Sequence, residues 1–117
     1  MIQQTLAQEV SRMEADLCSA FVDPTRILIL YALDDEPRHA TALAARLDLP
    51  QPTVSRHLRR LEEQALVCSE RDGPSVVYSI TDPRIMDLLE MMREVRFDAL
   101  TQQSTVLRKG APLTEVP

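Results

Sequence analysis

The sequence predicts a mainly α fold with a small β-hairpin: five helices, with two strands between the fourth and the fifth. Apolar residues recur at spacings of three and four through most of the 117 residues, the mark of amphipathic helices. Only two glycines occur, Gly73 and Gly110, so tight left-handed turns are few and proline and aspartate supply the punctuation. Over residues 67–80 the period changes from helical to alternating, which is the mark of strands.

The first helix rests on Ile2, Leu6, Val10, Met13, Leu17 and Phe21, one apolar stripe among Gln, Glu, Ser and Arg. Asp23-Pro24 then signals a helix start, because aspartate caps free amides and proline at the first helical position lacks the hydrogen that would go unbonded. The run Ile27 to Leu33 follows, closed by Asp-Asp-Glu-Pro, and predicts a short helix at about 24–34 buried on all sides. ATALAARL predicts a third helix with Leu43 and Leu47 on one face, stopped by Asp48-Leu49-Pro50. Thr53 opens the fourth, whose buried stripe is Val54, Leu58, Leu61 and Ala65, with Arg56, Arg59 and Arg60 on the opposite side.

Val67 to Arg71 and Ser75 to Ile80 read as two strands joined through Asp72-Gly73-Pro74. Glycine supplies the positive dihedral, and Pro74 predicts a loop longer than two residues. Asp82-Pro83 repeats the capping signal before a long helix with Ile85, Leu88, Leu89, Met92, Val95, Ala99 and Leu100 on one side, running to Arg108-Lys109-Gly110. Residues 1–109 are thus expected to form one domain, with residues 110–117 a mobile tail.

A chain of 13.2 kDa with 44% apolar residues supports one core without disulfides or metal. Its longest apolar run is far short of the ~20 residues that span a bilayer, and no signal-peptide stretch opens it, so a cytoplasmic protein without membrane contact is expected. Cys18 and Cys68 are too far apart in sequence for a zinc knuckle and too few for a disulfide framework. The net charge of −5 argues against indiscriminate polyanion binding. Between Arg38 and Arg71, however, six arginines (38, 46, 56, 59, 60, 71) stand against four acids (48, 62, 63, 70), so the middle is basic relative to both flanks.

Short helix, three-residue turn, basic-faced helix and hairpin, in that order, are the order of a winged helix-turn-helix. Such a helix fits the DNA major groove, its first turns bringing hydrogen-bonding side chains to base edges while arginines farther along meet phosphates. Gln51, Thr53, Ser55 and Arg56 crowd those first turns, with Arg59 and Arg60 behind them.

FVDPTRILILYAL, LAARLDLPQPTVSRHLRRLEEQALV and VVYSITDP together resemble the ArsR/SmtB, or arsenic-repressor, type of bacterial transcriptional regulator, over about residues 15–90. The resemblance implies a homodimeric repressor, paired through its first and last helices, that leaves a near-palindromic double-stranded DNA operator when an inducer binds. On matching positions it places DNA-reading residues at Gln51, Thr53, Ser55, Arg56 and His57, and a wing contact near Arg71.

The chain departs from the metal-sensing patterns of that family. Where arsenic-sensing members carry Cys-Val-Cys, this chain has His39-Ala40-Thr41, and capture of a soft metal needs converging sulfur ligands. Zinc-sensing members place Asp and His on the last helix, which here holds Asp87, Glu90, Glu94 and Asp98 but no histidine. Persulfide-sensing members pair cysteines of the second and last helices, and neither helix has one. Pro50 stands where the family commonly has a capping serine. No metal site, cofactor or catalytic group is therefore expected, and no nucleophile with base or glycine-rich phosphate loop occurs at workable spacing.

The bland readings are a solvated face for the arginines of the fourth helix, a partly buried structural role for His57, and a capping or exposed role for His39. Cys18 is expected as a small buried hydrophobe, and Met86, Met91 and Met92 as core or dimer packing. Two long flanking helices leave surplus apolar surface, which a symmetric dimer would bury. The inducer stays open among a thiol-redox signal through Cys18 and Cys68, a metal site outside the family patterns, a small organic ligand and none. A second function class keeps the fold without DNA, as a protein-interaction module whose basic face docks an acidic partner.

Overall fold

Asp23 sets the start of the second helix as its position before a proline demands. In the computed structural model its Oδ1 accepts the Thr25 amide at 2.8 Å, and Pro24 takes the first helical position. The structure describes residues 2–108, with side chains from residue 5 to residue 103. The expected mobile tail, residues 110–117, and a helix end at Lys109-Gly110 lie outside the described residues.

In chain order the elements are α1 (Ile2–Ser19), α2 (Pro24–Asp35), β1 (Arg38–His39), α3 (Ala40–Leu47), α4 (Gln51–Glu63), β2 (Val67–Asp72), β3 (Ser75–Ile80) and α5 (Arg84–Arg108). The chain forms two compact units, Met1–Pro83 and Arg84–Pro117, the second consisting of α5 in its described part.

The core of the first unit is Ile29 and Leu30 from α2, Leu43 from α3, Val54, Leu58 and Leu61 from α4, and Val67 from β2, all essentially without solvent contact. Each such side chain contributes roughly 1.5–3 kcal/mol by leaving water. These residues sit where the three- and four-residue spacing places them, so the stripe of α4 is also the surface that fixes its orientation on α2 and α3.

Five details depart from the sequence reading. First, α2 is not buried all round, because Leu28 is 53% exposed. Second, α4 begins two residues before Thr53: Pro52 tolerates the second helical position, and the Pro50 carbonyl accepts the Thr53 and Val54 amides. The cap that serine would give is absent, Pro50 having no side-chain bond to offer.

Third, Ala65 does not extend the buried stripe. It is exposed and left-handed at φ 59°, ending α4 with the Ala65 amide on the Glu62 carbonyl and the Leu66 amide on the Leu61 carbonyl, so Leu66 is the residue turned inward. Asp48 ends α3 in the same way at φ 55°. Scarce glycine therefore did not mean scarce left-handed turns.

Fourth, the sheet has three strands in the order β1-β3-β2, all antiparallel. The added strand pairs Arg38 with Tyr78 and His39 with Val77. Fifth, the hairpin turn is the minimal one. Asp72 pairs with Ser75 across Gly73-Pro74, and Gly73 at φ 62° followed by a proline restricted to negative φ meets the requirement of a type II′ turn.

The apolar stripe of α1 stands in solvent at Leu6, Val10 and Met13. In α5, Met86 and Leu89 are buried, whereas Leu88, Met91, Met92, Val95, Phe97 and Leu100 of the described residues are exposed. The expected long stripe of α5 is thus largely uncovered in the single chain, as surplus apolar surface on two flanking helices would be.

Candidate nucleic-acid interface

The turn Asp48-Leu49-Pro50 joins α3 to α4, and the buried stripe of α4 fixes which residues face outward. At about 3.6 residues per turn, Arg56, Arg59 and Arg60 lie opposite Val54, Leu58 and Leu61, and all three are exposed. Gln51 and Ser55 fall on one flank and Thr53 and His57 on the other.

On the first flank, Gln51 and Ser55 line a cleft with His39, Thr41, Pro74, Val76 and Tyr78, so the start of α4 opens directly toward the hairpin. The hairpin carries Arg71 on β2, exposed and opposite Val76. On the second flank, His57 Nε2 lies 3.8 Å from Asp23 Oδ2 with its side chain 17% exposed. The structure thus brings Gln51 and Ser55 to the cleft beside the wing and leaves Arg56, Arg59 and Arg60 exposed on the outer face of α4. It turns His57 toward the N-terminus of α2 instead.

Little of the charge on this surface is engaged by acids. Arg56 Nη2 donates to its neighbour Thr53 Oγ1 at 3.4 Å, and Arg60 faces Glu63 at 3.7 Å across one turn, an exposed pair of small energetic weight. Arg59 and Arg71 make no ion pair with the described residues. No acid lies in the first turn of α4, so the positive end of its dipole faces outward uncompensated.

Two arginines of the basic segment serve the fold instead. Arg38, its side chain 12% exposed, donates to the Ala32 carbonyl at the end of α2 and pairs with Asp35 at 2.8 Å and Glu36 at 3.2 Å; Arg46 approaches Asp35 at 3.8 Å. Arg26 likewise donates to the Ser19 and Ala20 carbonyls, fastening the end of α1.

His39 occupies the residue before α3 but caps nothing. Its Nδ1 is 3.1 Å from the Val76 carbonyl and its Nε2 is 3.5 Å from Asp72 Oδ2. No local pattern announces this contact, since its partners lie across the sheet. The ring is thereby engaged where the arsenic-sensing pattern would need a metal-binding cysteine, and Ala40 and Thr41 offer no soft donor, so these residues do not fit such a metal.

Both cysteines are exposed thiols. The expected burial of Cys18 fails because its neighbour Leu17 is the residue turned partly inward. Cys68 Sγ lies 3.3 Å from Ser79 Oγ across the hairpin.

Residues 23–69 match the HTH_5 family profile, described as "Bacterial regulatory protein, arsR family". Among similar proteins, the nodulation protein NolR of Rhizobium meliloti is 30% identical over 105 residues, covering 88% of this chain and 86% of NolR. The HTH-type transcriptional regulator NmtR of Mycobacterium tuberculosis is 34% identical over 85 residues, 73% of this chain and 71% of that one. Among solved structures, NolR from Sinorhizobium fredii superposes with a TM-score of 0.70 at 34% identity, over 76% of this chain and 89% of that chain. Rv0081 of M. tuberculosis gives 0.74 at 28% identity, over 81% and 96%.

Proposed function

This chain belongs to the arsR family of bacterial regulatory proteins and is a DNA-binding transcriptional regulator, and from that premise we propose that it is a homodimeric repressor of a near-palindromic operator. The observation that carries the proposal is the start of α4, where Gln51 and Ser55 line a cleft with the wing and the helix leaves Arg56, Arg59 and Arg60 exposed. Gln51, Ser55 and Arg56 read base edges, with Thr53 held by Arg56 at the margin. Arg59, Arg60 and, from the wing, Arg71 meet phosphates. His57 is assigned to orienting α4 through Asp23 rather than to base reading.

The uncovered apolar residues of α1 and α5 supply the dimer contact, making residues 1–109 one DNA-binding domain with flanking dimerisation helices. Among the described residues no helix is long and apolar enough to cross a membrane, and the protein acts on DNA in the cytoplasm without catalysing a reaction. The inducing signal does not use the family's thiolate pattern on α3 or a histidine site on α5, which lacks His and Cys altogether. A thiol-redox signal is favoured among the alternatives by the exposure of both Cys18 and Cys68.

Footprinting of the chain's own upstream DNA tests this reading. Two protected half-sites about 10 base pairs apart, centre to centre, are expected from paired recognition helices. Uniform protection without half-sites would contradict it.

A further inference from the structure

We propose that His39 is a positioning residue that fastens the wing to the α3–α4 helix pair, and that its protonation strengthens the wing's hold on DNA. The inference rests on the DNA-binding reading above. His39 belongs to both parts at once: its backbone pairs with Val77 in the sheet, and the next residue begins α3. Its ring reaches past that pairing, Nδ1 to the Val76 carbonyl at 3.1 Å and Nε2 to the Asp72 carboxylate at 3.5 Å. Asp72 and Ser75 flank the turn at the wing tip, and the next pair along the hairpin is Arg71 with Val76.

The neutral ring can satisfy the Val76 carbonyl with one N–H and then presents a bare nitrogen toward Asp72. The protonated ring donates to both. It also offsets Asp72, one of the two carboxylates that neighbour Arg71 on β2, Glu70 being the other, and so weakens the repulsion of phosphate there. Asp72 and Tyr78 are ionisable groups beside His39 on the strands, and Glu70 stands in the same cross-strand row, opposite the Val77 that pairs with His39. The cleft residues contributed by α3 and α4, Ala40, Thr41, Gln51 and Ser55, carry no charge, and Arg38 turns away to Asp35 and Glu36. The chain has one other histidine, His57, which faces Asp23.

The test is fluorescence anisotropy of a labelled upstream duplex at constant ionic strength across the histidine range, about pH 8 to about pH 6. Wild-type affinity should rise about two- to fivefold as pH falls, the scale of a partly exposed ion pair. Asp72→Asn should remove the rise, and His57→Gln should keep it. His39→Ala should weaken binding, and adding Arg71→Ala to it should cost less than Arg71→Ala costs alone. His39→Asn, whose amide can donate to the Val76 carbonyl but cannot titrate, should recover affinity at high pH without the rise. A rise that survives in His39→Asn, or an Arg71→Ala effect undiminished in His39→Ala, would overturn the proposal.

If the wild-type protein prefers no duplex, the DNA reading fails, and nuclear magnetic resonance of the free protein still decides the joint. The Arg71, Asp72 and Val76 amides should follow the His39 ring as it titrates, and amides indifferent to the ring would overturn it.

Discussion

Asp23 serves two helices at once: Oδ1 accepts the Thr25 amide that starts α2, and Oδ2 lies 3.8 Å from His57 Nε2 on α4. A residue legible in the sequence as a cap is therefore also a partner of α4.

The Thr25 amide foremost, and the nearby His57 and Arg26 charges, hold the Asp23 carboxyl below its ordinary value of 3.8, with burial opposing them. A depressed folded value means stability that is present above the ordinary value and lost as pH falls through the folded one. Asp23→Ala should lower the thermal midpoint at neutral pH, and its gap to wild type should narrow in acid. Asp23→Ser, which keeps a capping oxygen without the charge, should recover most of the neutral-pH loss and show less acid dependence. Thermal melts across the acid range check both.

Ala65 holds a left-handed conformation that costs a non-glycine residue about 1 kcal/mol. Ala65→Gly should stabilise the protein by about that amount, raising the thermal midpoint by roughly 3–5 °C. An unchanged or lower midpoint would show that the turn is not strained.

Much of this fold was legible because its signals are local. Asp23-Pro24 and Asp48-Leu49-Pro50 sit beside the helix ends they mark, and Val54, Leu58 and Leu61 announce the buried face of α4 by spacing alone. The exposed arginines of α4 followed from that face, whereas Arg71 came from the resemblance to the ArsR/SmtB family. The details missed are tertiary. Strand β1 exists because Arg38 and His39 find Tyr78 and Val77, far along the chain. Pro74 read as a lengthened loop, although a proline restricted to negative φ fits the second turn position behind Gly73 at positive φ. The second duty of Asp23 and the bridge from His39 to the wing likewise join segments whose nearness no periodicity encodes.

The arginines of the interface should separate by role. Arg56→Ala should relax sequence preference, by about 1–3 kcal/mol of discrimination at one base pair. Arg71→Ala should weaken binding to all duplexes and reduce the salt slope by about 1. Binding titrations on matched and mismatched duplexes over a salt series check this, and equal effects of the two substitutions would contradict the assignment.

The thiol reading of induction makes its own prediction. Mild oxidation should lower operator affinity, reductant should restore it, and Cys18→Ser or Cys68→Ser should abolish the response. Binding indifferent to oxidation would make both thiols bystanders.

The most direct measurement is anisotropy of the chain's own upstream DNA against a scrambled duplex of equal length and charge, at physiological salt. A sequence-specific repressor should prefer its own site by about 10³-fold or more. Equal affinity for the two duplexes would contradict the account at its centre.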